Sequence, residues 1–147
     1  MKDNQVKSAE GKVFFDTNIL VYSADVSDAR KQKIAIALIN SAINSGNGVI
    51  STQCLQEFFN VAQKKLNISK EAAKEYVEFF ADNIPVVEIS VPLILSAVDI
   101  SIKSQFSFWD SLILSAADDT GCATVYSEDL NGQQIVGGAR IQNPFAA

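Results

Sequence analysis

The chain contains no histidine, only two cysteines and three prolines among its 147 residues. Without histidine, no Ser-His-Asp or Cys-His nucleophile system can operate. With Cys54 and Cys122 as its only thiols, a zinc site of the usual kinds is not expected either. In a reducing compartment both cysteines would serve as small apolar residues. Positive charge is also scarce: 12 Lys and Arg stand against 17 Asp and Glu, a net charge of -5. The sequence pI of about 4.6 argues against a broad electrostatic grip on nucleic acid, which normally leaves a basic footprint. It does not exclude a nuclease, because acids gathered at one site can dominate the balance and a bound cation inverts the local field. Any chemistry here must therefore use carboxylates, hydroxyls, amines or a metal.

Long hydrophobic runs are missing as well, so no segment reads as a bilayer span. Met1 to Lys12 is polar, with charges of both signs, and lacks the apolar centre of a signal peptide. A cytoplasmic protein is expected. Hydrophobic residues make up 48 % and charged residues 20 %, enough apolar material for a packed core. No repeat, low-complexity tract or linker divides the chain. One domain over residues 1–147 is expected, with 1–11 as a flexible tail.

Short apolar segments alternate with longer helical ones. Lys12 to Phe15 (KVFF) reads as a buried strand, and Asn18 to Ser23 as a turn and short helix. Asp28 to Asn44 places Ile34, Ala35, Leu38, Ile39 and Ala42 at helical spacing, and Ser45-Gly46-Asn47-Gly48 stops it. Val49 and Ile50 form a strand, and Ser51 or Thr52 caps a helix to about Leu66. Ser69 caps a helix through Ala81, and Pro85 precedes a strand from Val86 to Ile89. Pro92 suits the first turn of a helix to Lys103. Ser107 caps a helix over Phe108 to Asp119, ended by Gly121. Ala123 to Tyr126 is a strand, Asn131 to Gly138 a Gly-rich loop, and Ala139 to Gln142 a last strand. This order predicts an α/β fold with a mainly parallel central sheet covered on both faces. In such sheets ligands bind beyond the strands' carboxyl ends, near the switch in strand order.

Four acids fall where such a site would lie. Asp16 follows the KVFF strand directly, and Asp129 follows the Ala123 to Tyr126 strand. Glu57 lies beside an apolar stripe made by Cys54, Phe58 and Val61. Asp110, in a first helical turn, shares a face with Phe106, Ile113 and Leu114. Each has a plainer reading: Asp16 as a turn cap, Glu57 as a surface helix residue, Asp110 as a partner of the helix dipole, Asp129 as turn chemistry. Recurrence after successive strands favours a shared role. Carboxylates against apolar surface are costly unless paired, and no Lys or Arg lies between Ser104 and Gly138. A divalent cation would satisfy them, and an all-oxygen donor set suits Mg²⁺ or Mn²⁺. Trp109 is expected in the core, Phe58-Phe59 and Phe79-Phe80 as packing aromatics, and Arg30-Lys31, Lys33 and Lys64-Lys65 as solvated faces that remain candidates for phosphate contacts. Asp99, Asp118 and Asp119 are expected outside the site.

Four segments, in order, resemble the PIN-domain family and, within it, the VapC-like ribonucleases of toxin–antitoxin pairs: FFDTNILVYSAD (Phe14 to Asp25), STQCLQEFFNVAQKK (Ser51 to Lys65), FSFWDSLILSAADDTGC (Phe106 to Cys122) and VYSEDLNGQQI (Val125 to Ile135). The closing Asn143-Pro144-Phe145 is similar to endings in one bacterial branch. The resemblance implies a three-layer α/β/α fold and Mg²⁺- or Mn²⁺-dependent endoribonuclease activity on single-stranded or structured RNA. It implies Asp16, Glu57 and Asp110 as metal ligands and catalytic residues, with Asp129 completing the acidic set. Asn18 and Ser127 match supporting polar positions, and Glu128 departs from the commoner Asn or Asp. A homodimer and a small antitoxin protein are the implied partners. Two rivals stay open: a non-catalytic PIN-fold module that binds nucleic acid or regulates, and a phosphohydrolase of the haloacid dehalogenase type. The second would need an Asp two positions after Asp16, where this chain has Asn18.

Overall fold

The computed structural model describes residues 11–130 and 135–146. Strand β1 (Lys12–Phe15) lies at the centre of the sheet. Val13, Phe14 and Phe15 are all buried, as expected of a strand with both faces covered. It is followed by α1 (Thr17–Ser23), α2 (Ala29–Ser45), β2 (Gly48–Ser51), α3 (Thr52–Lys65), α4 (Lys70–Asn83) and β3 (Val86–Val87). Next come α5 (Val91–Lys103), α6 (Phe108–Asp119), β4 (Cys122–Tyr126), β5 (Ile135–Val136) and β6 (Ala139–Gln142). The sheet order is β3-β2-β1-β4-β6-β5. Every pairing is parallel except β5 with β6.

The chain builds outward from β1 to β2 and β3, then crosses back to place β4 on β1's other side. That reversal puts a crevice at the carboxyl ends of β1 and β4. Right-handed crossovers place the helices before and after the reversal on opposite faces. Accordingly α1 packs on α2 and α3, α3 packs on α4, and α5 packs on α6. The result is the three-layer α/β/α arrangement with a mainly parallel sheet.

Local signals set most boundaries. Asp28, Ser69, Ser90 and Ser107 each cap a helix, their side chains accepting from Lys31, Ala72, Leu93 and Asp110 amides. Gly46 ends α2 in the left-handed conformation, φ 70°. Gly48 is more than a stop signal. It opens β2, and a Cβ there would stand 3.0 Å from the Ala42 Cβ and 3.3 Å from the Phe15 ring. Its missing side chain lets α2 lie close against the sheet.

Several expectations are corrected. Ser51 is the N-cap of α3 but makes no capping hydrogen bond; its hydroxyl meets the Cys54 Sγ at 3.4 Å. Thr52 does not cap either, its Oγ1 accepting instead from the Ile89 amide. The β3 strand is shorter than the expected Val86 to Ile89. Of the expected loop Asn131 to Gly138, residues 131–134 lie outside the described residues, but Ile135–Val136 pair antiparallel with β6. Gly137-Gly138 make this a two-residue hairpin, which glycine content alone disguised as a loop. The proposed tail at residues 1–11 also lies outside the described residues up to position 10. No helix among the described residues is long and apolar enough to cross a membrane.

Candidate active site

Asp16 is where β1 ends and α1 begins. Its backbone amide still bonds to the Tyr126 carbonyl of β4, so the side chain is delivered to the crevice between the two strands. It is 7 % exposed. One carboxylate oxygen accepts from the Thr17 amide at 2.7 Å, the other from the Ser127 hydroxyl at 2.7 Å. Asp16 is therefore the N-cap of α1, as the plainer reading held, and a wall of the crevice at once. Burial pushes its pKa up from 3.8 to about 6, against the lowering effect of Ser127 and the Thr17 amide; Glu57 and Asp110 add a smaller push. Among the described residues no cation pairs with it.

Ser127 organises the opposite lip. While donating to Asp16, its Oγ accepts from the Asp129 and Leu130 amides, both at 3.2 Å. Asn18 spans the crevice: its amide nitrogen donates to Asp129 Oδ2 at 3.1 Å, and its oxygen accepts from the Glu128 amide. Asn18 and Ser127 thus shape the turn that presents Asp129. Glu128 points elsewhere, forming an ion pair with Lys31 and accepting from the Tyr22 hydroxyl. Burial would raise its carboxyl, but Lys31 and Tyr22 hold it below the usual value. Lys31, expected on a solvated face, is engaged here and also lies over the Tyr22 and Phe145 rings.

Glu57 reaches the crevice from α3. Thr17 donates to its Oε1 at 2.6 Å and Gln53 to its Oε2 at 3.1 Å. Asp110 enters from the first turn of α6. Burial raises its pKa, opposed by Ser107, with Asp129 and Glu57 as further raising charges. Asp16, Glu57, Asp110 and Asp129 all line one cavity of about 400 Å³. Asp99, Asp118 and Asp119 are exposed and do not line it.

Trp109 also lines the cavity. It is 62 % exposed, which overturns its expected place in the core. The second position of a helix whose buried face starts at Ser111 has no core to enter. Lys65, Tyr22, Thr17 and Gln53 complete part of the wall, and none of the last three was singled out from sequence. The only advance signal for Gln53 was its position one helical turn before Glu57. Its side chain is buried, yet its Oε1 has no hydrogen-bond partner among the described residues, a cost of about 1–3 kcal/mol.

The donor set suits a hard divalent cation: oxygen only, anionic, and raised in pKa where no positive neighbour relieves it. Among the described residues no three His, Cys, Asp or Glu side chains converge closely enough to cage an ion by themselves.

Four carboxylates thus line one cavity at the switch point of an α/β/α sheet, where such folds bind their ligands. The PIN domain model matches residues 13–137, and the chain belongs to that family. Among solved structures, it is similar to VapC20 of Mycobacterium tuberculosis, described as a toxin that cleaves the sarcin-ricin loop. The TM-score is 0.64 at 17 % identity, covering 80 % of this chain and 90 % of that one. It is also similar to the DNA-bound VapBC of Salmonella typhimurium: TM-score 0.67, 19 % identity, 91 % of this chain and 98 % of that one. VapBC2 of Rickettsia felis, bound to a fragment of its promoter, follows at TM-score 0.63 and 17 % identity, covering 89 % and 97 %. No curated protein matches the sequence. At these identities the structural likeness speaks for the fold.

Proposed function

We propose that the chain is a divalent-metal-dependent endoribonuclease, the toxin of a VapBC-type toxin–antitoxin pair. The observation that carries the reading is the gathering of four carboxylates from four separate segments onto one cavity at the switch point of a PIN fold. In this reading Asp16 and Asp110 hold the ion directly, Glu57 holds it directly or through water, and Asp129 tunes it or recruits a second. Mg²⁺ or Mn²⁺, when bound, supplies charge neutralisation at the phosphate and a more acidic water.

The chain's own side chains do the rest. Glu57 is fixed by Thr17 and Gln53, with lone pairs left on both oxygens, so it can take the proton of the attacking water. The new P–O bond forms in line with the one that breaks, and the departing oxygen collects a proton from solvent. Asn18 and Ser127 keep Asp129 and Asp16 in place and stay out of the proton traffic.

Substrate grip needs little net charge in this arrangement. Lys65 stands on the cavity wall as a phosphate contact, and the exposed Trp109 indole offers a face for an unpaired base. Trp109→Ala should raise KM for a single-stranded RNA about 5- to 150-fold, the loss of one stacking contact worth about 1–3 kcal/mol, while kcat changes less. An unchanged KM would remove the stacking role.

The toxin reading is tested by expressing the chain with and without its genomic neighbour and sequencing the RNA ends produced. Growth arrest with defined new RNA ends, relieved by the neighbour, is the expected result. Normal growth and unaltered RNA would sink the proposal.

A further inference from the structure

Gln53 lies on α3, 4 % exposed, in the wall of the acidic cavity. Its amide nitrogen donates to Glu57 Oε2 at 3.1 Å and to the Trp109 carbonyl at 3.2 Å. Both partners can only accept, so the nitrogen must face them and the oxygen must face away. There it finds no partner among the described residues. One amide therefore joins a carboxylate on α3 to the backbone of α6 immediately before Asp110. The two helices belong to opposite layers and share little other packing. The rest of Glu57's restraint comes from Thr17, which follows β1.

We propose that Gln53 is a positioning residue: a clasp across the sheet's edge that sets the separation of Glu57 and Asp110, so that one divalent cation can engage both. This rests on the metal-dependent reading of the site. A glutamine placed for stability would be expected to satisfy its oxygen as well as its nitrogen. Gln53 instead leaves the oxygen without a partner among the described residues while the nitrogen holds two acceptors, a local conflict of the kind found where geometry is kept for function. Its partners also belong together functionally: one is a candidate ligand and the other precedes a candidate ligand in the chain.

The test uses the whole chain with Gln53→Met, which keeps length and apolar stem but has no donor, and Gln53→Asn, whose amide is one methylene too short. Mn²⁺ affinity is measured by the paramagnetic resonance of free Mn²⁺, alongside Tm of the metal-free protein and RNA cleavage kinetics. Gln53→Met is expected to weaken Mn²⁺ binding about 10-fold or more, the range seen when a metal ligand loses its supporting hydrogen bond. Its metal-free Tm should stay level or rise, because the unpaired oxygen goes with the donor. The cleavage defect should appear in kcat at saturating RNA, with KM for RNA unchanged. Unaltered Mn²⁺ affinity in Gln53→Met would overturn the clasp, and an accompanying fall in Tm would reassign Gln53 to a packing role. Should the Met variant fail to fold, Gln53→Asn decides: weakened Mn²⁺ binding supports the clasp and full affinity overturns it. A wild-type chain that binds no Mn²⁺ would bring down the metal reading and the clasp together. A wild type that binds and a folded Met variant that binds equally would bring down the clasp alone.

Discussion

Asp16→Asn is expected to cut RNA cleavage by orders of magnitude and, in metal-free protein at pH 7, to raise thermal stability. The two effects have one origin. The Asp16 carboxyl is buried and lifted from 3.8 to about 6. Between those values the folded chain holds a proton that the unfolded chain has released. Stability must therefore fall as pH rises across that window, with the full loss present above about pH 6 and none below about pH 3.8. A shift of this size corresponds to about 3 kcal/mol. Asn carries no charge and escapes the penalty, though it cannot keep every hydrogen bond to Thr17 and Ser127. The variant's Tm should thus exceed wild type by several degrees at pH 7 and converge with it near pH 4, in metal-stripped samples followed by calorimetry. Cleavage should drop by about two to four orders of magnitude, the scale of losing several kcal/mol of charge stabilisation. A variant less stable than wild type at pH 7, or one that cleaves at close to the wild-type rate, would contradict this account of Asp16.

The second large effect is metal linkage. Mn²⁺ or Mg²⁺ relieves the same penalty by binding the ionised, folded form. At a free concentration 100 times Kd, stabilisation is about 2.7 kcal/mol, or roughly 5–10 °C in Tm for a chain of this size. Asp16→Asn and Asp110→Asn should show little of that rise. RNA cleavage should vanish in EDTA and return with excess Mn²⁺. Equal turnover with and without EDTA would eliminate the mechanism proposed for this site, whatever the fold.

Much of this was legible from the chain alone, for identifiable reasons. Strands such as Lys12–Phe15 are short apolar runs bounded by polar residues, and caps such as Ser69 and Ser107 act within three residues of themselves. Local signals of this kind survive in sequence. Asp16 and Asp129 could be placed because a strand's end has a known position in a parallel sheet. What stayed hidden was contact between distant segments. Nothing near Gln53 announces that its amide will meet the Trp109 carbonyl, 56 residues on. The Thr17 hydroxyl looks like turn chemistry until Glu57, 40 residues away, is beside it. Trp109 was misplaced because aromatic bulk suggests a core, whereas the helix phase turns that position outward. Glu128 sits next to Asp129 in sequence yet serves Tyr22 and Lys31 instead.

The order in which the site's parts occur along the chain has a consequence for its synthesis. Central strand β1 pairs on one side with β4, more than a hundred residues later, and Asp16 is tied to Ser127 across that seam. A ribosome must deliver every residue from β1 through Ser127 before these partners can meet. Until then Asp16 has neither its Ser127 donor nor Asp129 across the cavity. The acidic cavity is consequently complete only once the segment from Cys122 to Asp129 has been made and paired against β1.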